Sequence, residues 1–339
     1  MSHRTFAAGA LGALVVMFLA PAVVAGQISK TAPMNSAAPR TPWGDPDLQG
    51  VWTGSTLTLL ERPRELDGRE FLTNEEAAAL EEQADANRFV ERAQKNGDPG
   101  TYNRVWFDPS TRVVGDRRTS LIVDPVDGRI PFTPEGQRHY VRSRDRYGLG
   151  PFDSWLDLDT GERCLTDGLP LRYSGYNANY QILQTPDHLA ILGEMFGDRR
   201  IIPLDDRPRA TIPQWLGDGR GRWNEETLVV TTTSFADKAH YWWTTAWRAS
   251  RQTLHLVERF TRLDEKTIEY RFTMTDPVMF TRAWTAAIPL TTDQAARGVT
   301  VGPLYEYACH EGNYSVVNIL SGARAQEKIE AASGDAKEP

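Results

Sequence analysis

Residues 253–276 read TLHLVERFTRLDEKTIEYRFTMTD, and this stretch decides the fold class. Apolar and polar residues alternate on both sides of a polar interruption at residues 264–265. A period of two that is broken by a short polar stretch is typical of two antiparallel strands joined by a turn. Successive residues of a strand face opposite sides, so Leu254 and Glu258 share one face and His255 lies on the other.

The same period of two recurs along the C-terminal half of the chain. The predicted strands are residues 177–185, 187–195, 199–205, 226–235, 253–263, 266–276, 281–290 and 305–310. Turn-forming residues separate most of them, and we interpret the glycine-rich run at residues 217–221 as a hairpin turn. Short antiparallel strands in sequence order predict an up-and-down barrel, whose closure removes exposed strand edges. A barrel of about eight strands encloses side chains or one small ligand.

The segment before this barrel contains one strand and two helices. The strand is predicted at residues 50–60. A capping-box pattern at Thr73 begins a helix over residues 73–95. Thr133, followed by proline at the first helical position, begins a second helix over residues 133–146. We therefore expect a mainly β protein in which added helices pack on an antiparallel barrel.

The chain opens with MSHRTFAAGALGALVVMFLAPAVVAG. A short basic start, an apolar run and small residues before a cleavage site are the three parts of a secretory signal peptide. Pro21 and the polar residues that follow it argue against a membrane anchor. The expected location is the periplasm or the extracellular space, without stable membrane insertion after cleavage. The chain is then divided into a signal peptide at 1–25, a linker at 26–42, an N-terminal segment at 43–170, a barrel domain at 171–325 and a disordered tail at 326–339.

The chain has two cysteines, Cys164 and Cys309. Export places them in an oxidising compartment, where two cysteines usually form one disulfide. We therefore predict a bond between them, which ties the region around residue 164 to the C-terminal end of the barrel. The alternative is a free and reactive thiol.

Composition and motifs argue against several function classes. A net charge of −7 disfavours nucleic acid as a partner, because phosphate binding needs clustered lysine and arginine in excess. The sequence contains no G-x-S-x-G, Walker or H-E-x-x-H motif. His255 and Glu258 lie three residues apart on a strand and face opposite sides, which disfavours a zinc site. We expect no metal and no cofactor.

Four blocks of the sequence carry a resemblance to a known family. They are PWGDPDLQGVW, QWLGDGRGRW, LHLVERF and YEYACHEGNY. In these blocks the chain resembles a large, mostly uncharacterised family of exported bacterial proteins, over nearly the whole length that follows the leader. The C-terminal half is similar to a lipocalin or calycin barrel. The resemblance implies an exported antiparallel barrel with an N-terminal helical extension, and it implies no particular activity.

The stretch YEYACHEGNY, residues 305–314, contains the first catalytic candidates. On a strand His310 lies opposite Cys309, so a cysteine bridged on the outside directs His310 to the interior beside Glu311. His310 is then either a general acid or base or a hydrogen-bonded structural residue. His255 is a further acid–base candidate, because histidine titrates near neutral pH and the chain has only six of them.

Glu194 completes the catalytic candidates. Both faces of the strand at residues 187–195 are apolar, so Glu194 is expected at a partly buried position. A buried carboxylate either pairs with a cation, here Arg199 or Arg200 across the hairpin, or acts as a general acid or base with a raised pKa.

Two polar and aromatic stretches, YSGYNANY at 173–180 and KAHYWW at 238–243, contain most of the binding candidates. The first stretch either orients a ligand or satisfies its own backbone. The second either covers the barrel as a lid or packs against the N-terminal helices. The substrate-binding candidates are Tyr176, Asn177, Asn179, Tyr180, Arg200, His240, Trp243 and Tyr307.

These residues predict a cofactor-independent lyase, isomerase or hydrolase that acts on a small hydrophobic or ring-bearing molecule in the barrel. His310 would exchange a proton, with Glu194 or Glu311 as its partner. Asn177 or Asn179 would stabilise developing negative charge. The alternative is a non-catalytic binding protein for an apolar or aromatic ligand. A glycosidase is disfavoured, because no pair of carboxylates stands out for that reaction.

Overall fold

The structure is a computed structural model, and it describes residues 38–91, 107–145, 150–173, 177–237, 245–248, 253–310 and 313–333. The predicted signal peptide at residues 1–25 lies outside the described residues, as does most of the predicted linker. The strands are β1 (Gly50–Thr53), β2 (Ile122–Asp124), β3 (Asn179–Gln184), β4 (His188–Gly193), β5 (Arg199–Pro203), β6 (Asp218–Asn224), β7 (Thr227–Thr233), β8 (His255–Arg262), β9 (Thr267–Thr275) and β10 (Trp284–Thr291). The α-helices are α1 (Asn74–Asn87), α2 (Pro134–Asp145) and α3 (Ser315–Ser333).

The strands form one antiparallel sheet that is almost closed into a barrel. Its order is β5-β4-β3-β1-β10-β9-β8-β7-β6, and β2 pairs with β10 beside this path. The end strands β5 and β6, both described in full, lie side by side but share no hydrogen-bonded ladder. The predicted mainly β fold, an antiparallel barrel with added helices, is confirmed.

The hairpin of β8 and β9 follows the alternation read from its sequence. Thr261 pairs with Glu269 and Leu256 with Met274. Leu256, the residue two positions before the buried Glu258, is itself buried, whereas His255 is exposed. One face of this hairpin therefore lines the barrel interior and the other faces solvent.

The glycine-rich run at residues 217–221 is a strand and not the predicted turn. Residues 218–221 form the first half of β6, which pairs with β7 over its whole length. A Cβ atom on Gly221 would lie 2.5 Å from Leu204 and 3.3 Å from Ile202, on the β5 side of the open seam. Glycine is present here because another segment approaches the strand closely.

Three further elements differ from the sequence prediction. β1 comes from the N-terminal segment but lies inside the barrel sheet between β3 and β10. Residues 305–310, predicted as the last strand, form no regular element and end in a turn. α3 extends over residues 326–333, which the sequence analysis placed in a disordered tail. Arg324 holds this helix by donating to the carbonyl oxygen of Phe152 at 3.2 Å.

The two predicted helices form where their caps indicate. Thr73 Oγ1 accepts from the amide of Glu76 at 3.2 Å, and α1 packs Ala77 into a small apolar cluster. In α2 a Cβ atom on Gly136 would lie 2.1 Å from the carbonyl oxygen of Met279, so only glycine allows this approach. The helix thereby packs on the connection between β9 and β10.

The barrel interior is filled by large side chains from strands on all sides. The five largest, each less than 2% exposed, are Trp52, Trp284, Tyr270, Phe260 and Phe272. Aromatic rings contact one another at centroid distances near 5–6 Å, such as 5.5 Å between Phe272 and Trp284. A core of this kind stabilises the barrel and leaves the ends of the strands as places for a site.

Candidate functional site

One end of the barrel, where β4 ends and β5 begins, is closed by two loop segments at residues 166–171 and 245–248. The backbone amide of Leu171 donates to the hydroxyl oxygen of Tyr270 inside the barrel at 3.2 Å. Together with the β4–β5 turn at residues 193–200, these segments surround a small cluster of charged groups. We call this region the barrel mouth.

Asp167 is the centre of the charge network at the barrel mouth. Arg172 Nε donates to Asp167 Oδ2 at 3.0 Å, and Arg248 Nη1 lies 3.4 Å from the same oxygen. Arg248 also donates to the carbonyl oxygens of Asp167 and Pro170, at 2.8 and 2.9 Å. Burial raises the pKa of Asp167, but the two guanidinium groups outweigh burial and lower it. The ionised Asp167 thus joins two arginines to the loop that closes the barrel.

Asp198 is the second carboxylate of the barrel mouth. Thr166 Oγ1 and the backbone amide of Asp167 both donate to its Oδ2, at 2.8 and 2.9 Å. Burial is the largest influence on this group and raises its pKa from 3.8 to about 6. A carboxyl group with a pKa near neutrality is suited to accept or donate a proton during a reaction.

A small cavity lies beside Asp198. Its volume is about 20 Å³, which is room for about one water molecule. Its wall combines apolar and polar side chains, among them Leu171, Ile191, Leu216, Tyr180, Asp198 and Arg200. Asp167 and Asp198 both line this space the size of water, and Asp198 is the one whose pKa is raised.

An ion pair lies behind this cavity, inside the barrel. Arg200 donates to both carboxylate oxygens of Glu258, at 3.0 and 2.6 Å, and to Thr232 Oγ1 at 3.3 Å. Tyr270 donates to the same carboxylate at 2.8 Å. Burial and the charge of Glu258 raise the pKa of Tyr270 well above its usual value. Arg200, predicted to bind substrate, is thus held by protein groups while its side chain borders the cavity.

Glu194 lies at the barrel mouth with two of the predicted binding residues. Asn177 Nδ2 donates to Glu194 Oε1 at 2.5 Å, and Asn179 Nδ2 donates to Oε2 at 3.1 Å. The predicted ion pair of Glu194 with Arg199 or Arg200 does not form, because these amides occupy the carboxylate and Arg200 points into the barrel. The structure therefore brings three of the candidates together, with a carboxylate that is 5% exposed.

The disulfide predicted between Cys164 and Cys309 is present, with Cα atoms 5.5 Å apart. Asn313 Nδ2 donates to Cys164 Sγ at 2.9 Å and so attaches the residues after the bridge as well. In the same loop as Cys164, burial is the main cause that raises the pKa of Glu162 to about 7. Tyr307, a predicted binding residue, contacts the β4–β5 turn by stacking edge-on against Phe196 at 4.9 Å.

The remaining candidates are dispersed. His310 is exposed in the turn after the bridge, because residues 305–310 form no strand that would direct it inward. His255 is exposed on the outer face of β8. Tyr180 is buried, and its hydroxyl oxygen accepts from the amide of Arg172 at 2.5 Å, while burial raises its pKa. Four candidates lie outside the described residues: Glu311, Tyr176, His240 and Trp243.

Sequence reasoning did not select Asp167, Asp198 or Glu258 as site residues. Asp198 lies in the turn between two predicted strands, and its pKa depends on burial by segments that are distant in sequence. The sequence does mark Glu258 as a buried acid, because the alternation of apolar and polar residues in β8 places it on the apolar, inward face of the strand. A carboxylate at such a position requires a buried cation, and Arg200 is that partner.

Comparisons with protein-family models, curated proteins and solved structures give no match to this chain. Among the described residues, no group of three or more histidine, cysteine, aspartate or glutamate side chains is arranged to hold a metal ion. No helix in the described ranges is long and apolar enough to cross a membrane.

Proposed function

We propose that this protein is an exported, cofactor-independent hydrolase that acts on a small molecule at the barrel mouth, with Asp198 as its general base. The observation that carries the proposal is the position of Asp198 beside a cavity of about 20 Å³. Room for about one water next to a carboxyl group with a pKa near neutrality favours hydrolysis over the lyase and isomerase reactions. The disulfide and the leader sequence support export to the periplasm or beyond.

The surroundings of Asp198 fit the role of a base. Its Oδ2 is fixed by Thr166 and the Asp167 amide, so the carboxylate has a set orientation. Above pH 6 the group is mostly ionised and accepts a proton from water as the water oxygen bonds to the substrate. Apolar side chains such as Leu171 and Leu216 line the cavity beside the carboxyl group, which supports a small hydrophobic or ring-bearing substrate. Because large side chains fill the barrel interior, we expect the proposed substrate to bind at the mouth and not deep within the barrel.

The second candidate function is a binding protein without catalysis. It is favoured by the extensive internal pairing at the mouth, where Asp167 binds two arginines and Glu194 accepts from two asparagines. Such a network fixes the shape of a binding surface. A small hydrophobic or aromatic ligand would then rest on the apolar wall and leave unchanged.

The two functions are separated by an isotope experiment. The purified protein is incubated with a library of small esters, lactones and amides in ¹⁸O-labelled water, and mass spectrometry detects label in any product. For a substrate found in this way, Asp198→Asn should lower turnover by about 10²–10⁴-fold. Asp206→Asn, which alters an exposed carboxylate in the β5–β6 connection, is the matched control and should retain turnover. His310→Gln should also retain it.

Full turnover by Asp198→Asn would refute the assignment of the base. A ligand that copurifies with the protein, binds equally well to Asp198→Asn and is recovered without ¹⁸O would support the binding protein instead.

A further inference from the structure

A second pocket lies outside the barrel, in the N-terminal segment. Its volume is about 480 Å³, within the range of about 300–1,000 Å³ that is usual for small-molecule sites. It is bordered by the chain after Leu60 and by the turn before Ile130, and charged side chains dominate its wall. The wall includes the side chains of Arg62, Asp67, Glu70, Val126, Asp127 and Arg129.

Arg62 is the unusual group in this pocket, because it is only 5% exposed. Its Nε donates to Thr119 Oγ1 at 2.9 Å, and its backbone amide donates to the carbonyl oxygen of Gly128 at 3.0 Å. Within the described part of the chain, neither Nη atom donates a hydrogen bond and no carboxylate lies at ion-pair distance. Neither Nη atom is sealed from solvent, so both are available to donate to a ligand that enters the pocket.

The other charged groups of the wall differ in their availability. The guanidinium group of Arg129 is already paired, since its Nη2 donates to Asp67 Oδ1 at 2.5 Å. The backbone amide of Arg129 donates to Asp127 Oδ1 at 3.0 Å. Glu70 is exposed and uses its backbone carbonyl to accept from Thr119. Its carboxylate makes no hydrogen bond or ion pair to any residue that the structure describes. The pocket thus presents an unpaired cation and an unpaired anion that are too far apart to pair with each other.

The frame of the pocket is rigid. Gly128 adopts φ +70°, and a Cβ atom there would lie 2.6 Å from Ser120 Oγ and 3.1 Å from Arg62 Cβ. The turn is therefore packed tightly against the base of the arginine side chain. A preformed site of this kind orders few groups on binding, which favours affinity for a small ligand.

We propose that this pocket binds a small zwitterion, a free amino acid or a close analogue, with its carboxylate on Arg62 and its ammonium group facing Glu70. The planar guanidinium fork matches a carboxylate with two parallel hydrogen bonds. Three carboxylates against two arginines in the wall oppose a dianion such as phosphate. The site is independent of Asp198 and of the proposed hydrolase activity.

The test is isothermal titration of the full mature chain at pH 7 with each of the twenty common amino acids. Acetate, methylamine and inorganic phosphate serve as probes with a single kind of charge. At least one amino acid should bind, more tightly than all three probes. Arg62→Gln and Glu70→Gln should each weaken that binding by about tenfold to a hundredfold, and Val126→Trp should block the pocket. Glu82→Gln, an exposed carboxylate on α1, is the matched control and should bind normally.

Should Arg62→Gln fail to fold, the exposed substitutions at Glu70 and Val126 still decide the question. The proposal is overturned if no amino acid binds, if phosphate binds more tightly than every amino acid, or if Glu70→Gln and Val126→Trp leave binding unchanged.

Discussion

Replacing Glu258 by glutamine perturbs the ion pair inside the barrel and nothing at its surface. The side chain of Glu258 is fully buried and that of Arg200 is 6% exposed. Two hydrogen bonds join them, at 3.0 and 2.6 Å, and Tyr270 adds a third at 2.8 Å. Glutamine keeps the size of the side chain and one oxygen acceptor, but it leaves the charge of Arg200 without compensation.

The expected cost follows from that burial. Removing one partner of a buried ion pair costs about 3–5 kcal/mol, and we expect the free energy of unfolding of Glu258→Gln to fall by this amount. Removing both charges, with Glu258→Leu and Arg200→Met together, should cost less than the single change, because no charge is left unpaired. The comparison separates the cost of an orphaned charge from the net contribution of the pair.

The assay is urea unfolding at pH 7, followed by tryptophan fluorescence and by circular dichroism. Asp206→Asn breaks an exposed pair with Arg222, whose side chains are 90% and 78% exposed, and is expected to leave the midpoint unchanged. A loss below about 1 kcal/mol for Glu258→Gln, or a double variant that is less stable than the single one, would contradict the expected cost of an unpaired buried charge.

Three further predictions concern stability. Gly136→Ala places a methyl group against a backbone carbonyl oxygen and should lower the free energy of unfolding by at least about 1–3 kcal/mol. Gly322→Ala changes a helical glycine with open space around it and should be neutral or stabilising by up to about 1 kcal/mol. Thermal unfolding of both variants checks this difference. The bridge across 145 residues should leave no thiol to label in the denatured, unreduced protein, and Cys164→Ser with Cys309→Ser should lower stability by up to about 4–5 kcal/mol. Because the pKa of Asp198 is raised in the folded protein, its contribution to stability is present below about pH 4 and is lost as the pH rises through about 6. Asp198→Asn should therefore lose less stability than the wild type between those pH values in urea unfolding curves; equal slopes would contradict this.

The sequence predicts those parts of the fold that depend on local pattern. Alternation identifies the hairpin of β8 and β9 and most other strands, and the cap at Thr73 marks the start of α1. The local pattern gives the wrong element at β6, because glycine there allows close packing against Ile202 and does not form a turn. It also fails at residues 305–310, which the disulfide holds in place without a ladder.

The candidate site is predictable to a smaller extent. Asn177, Asn179 and Glu194 meet because β3 and β4 are neighbours in sequence and in space. The pairing of Arg200 with Glu258 joins β5 to β8, and no local pattern indicates such a contact. The raised pKa of Asp198 and the exposure of His310 likewise depend on which loops cover the barrel end.

Asp198 lies half-buried at the barrel mouth, and we propose that its carboxyl group exchanges a proton near neutral pH. The direct measure of this is a pH titration of the aspartate side-chain carboxyl carbons by ¹³C NMR, with the Asp198 resonance identified by its loss in Asp198→Asn. We expect a midpoint of about 6 for this resonance. A midpoint near the ordinary value of 3.8 would contradict the proposal.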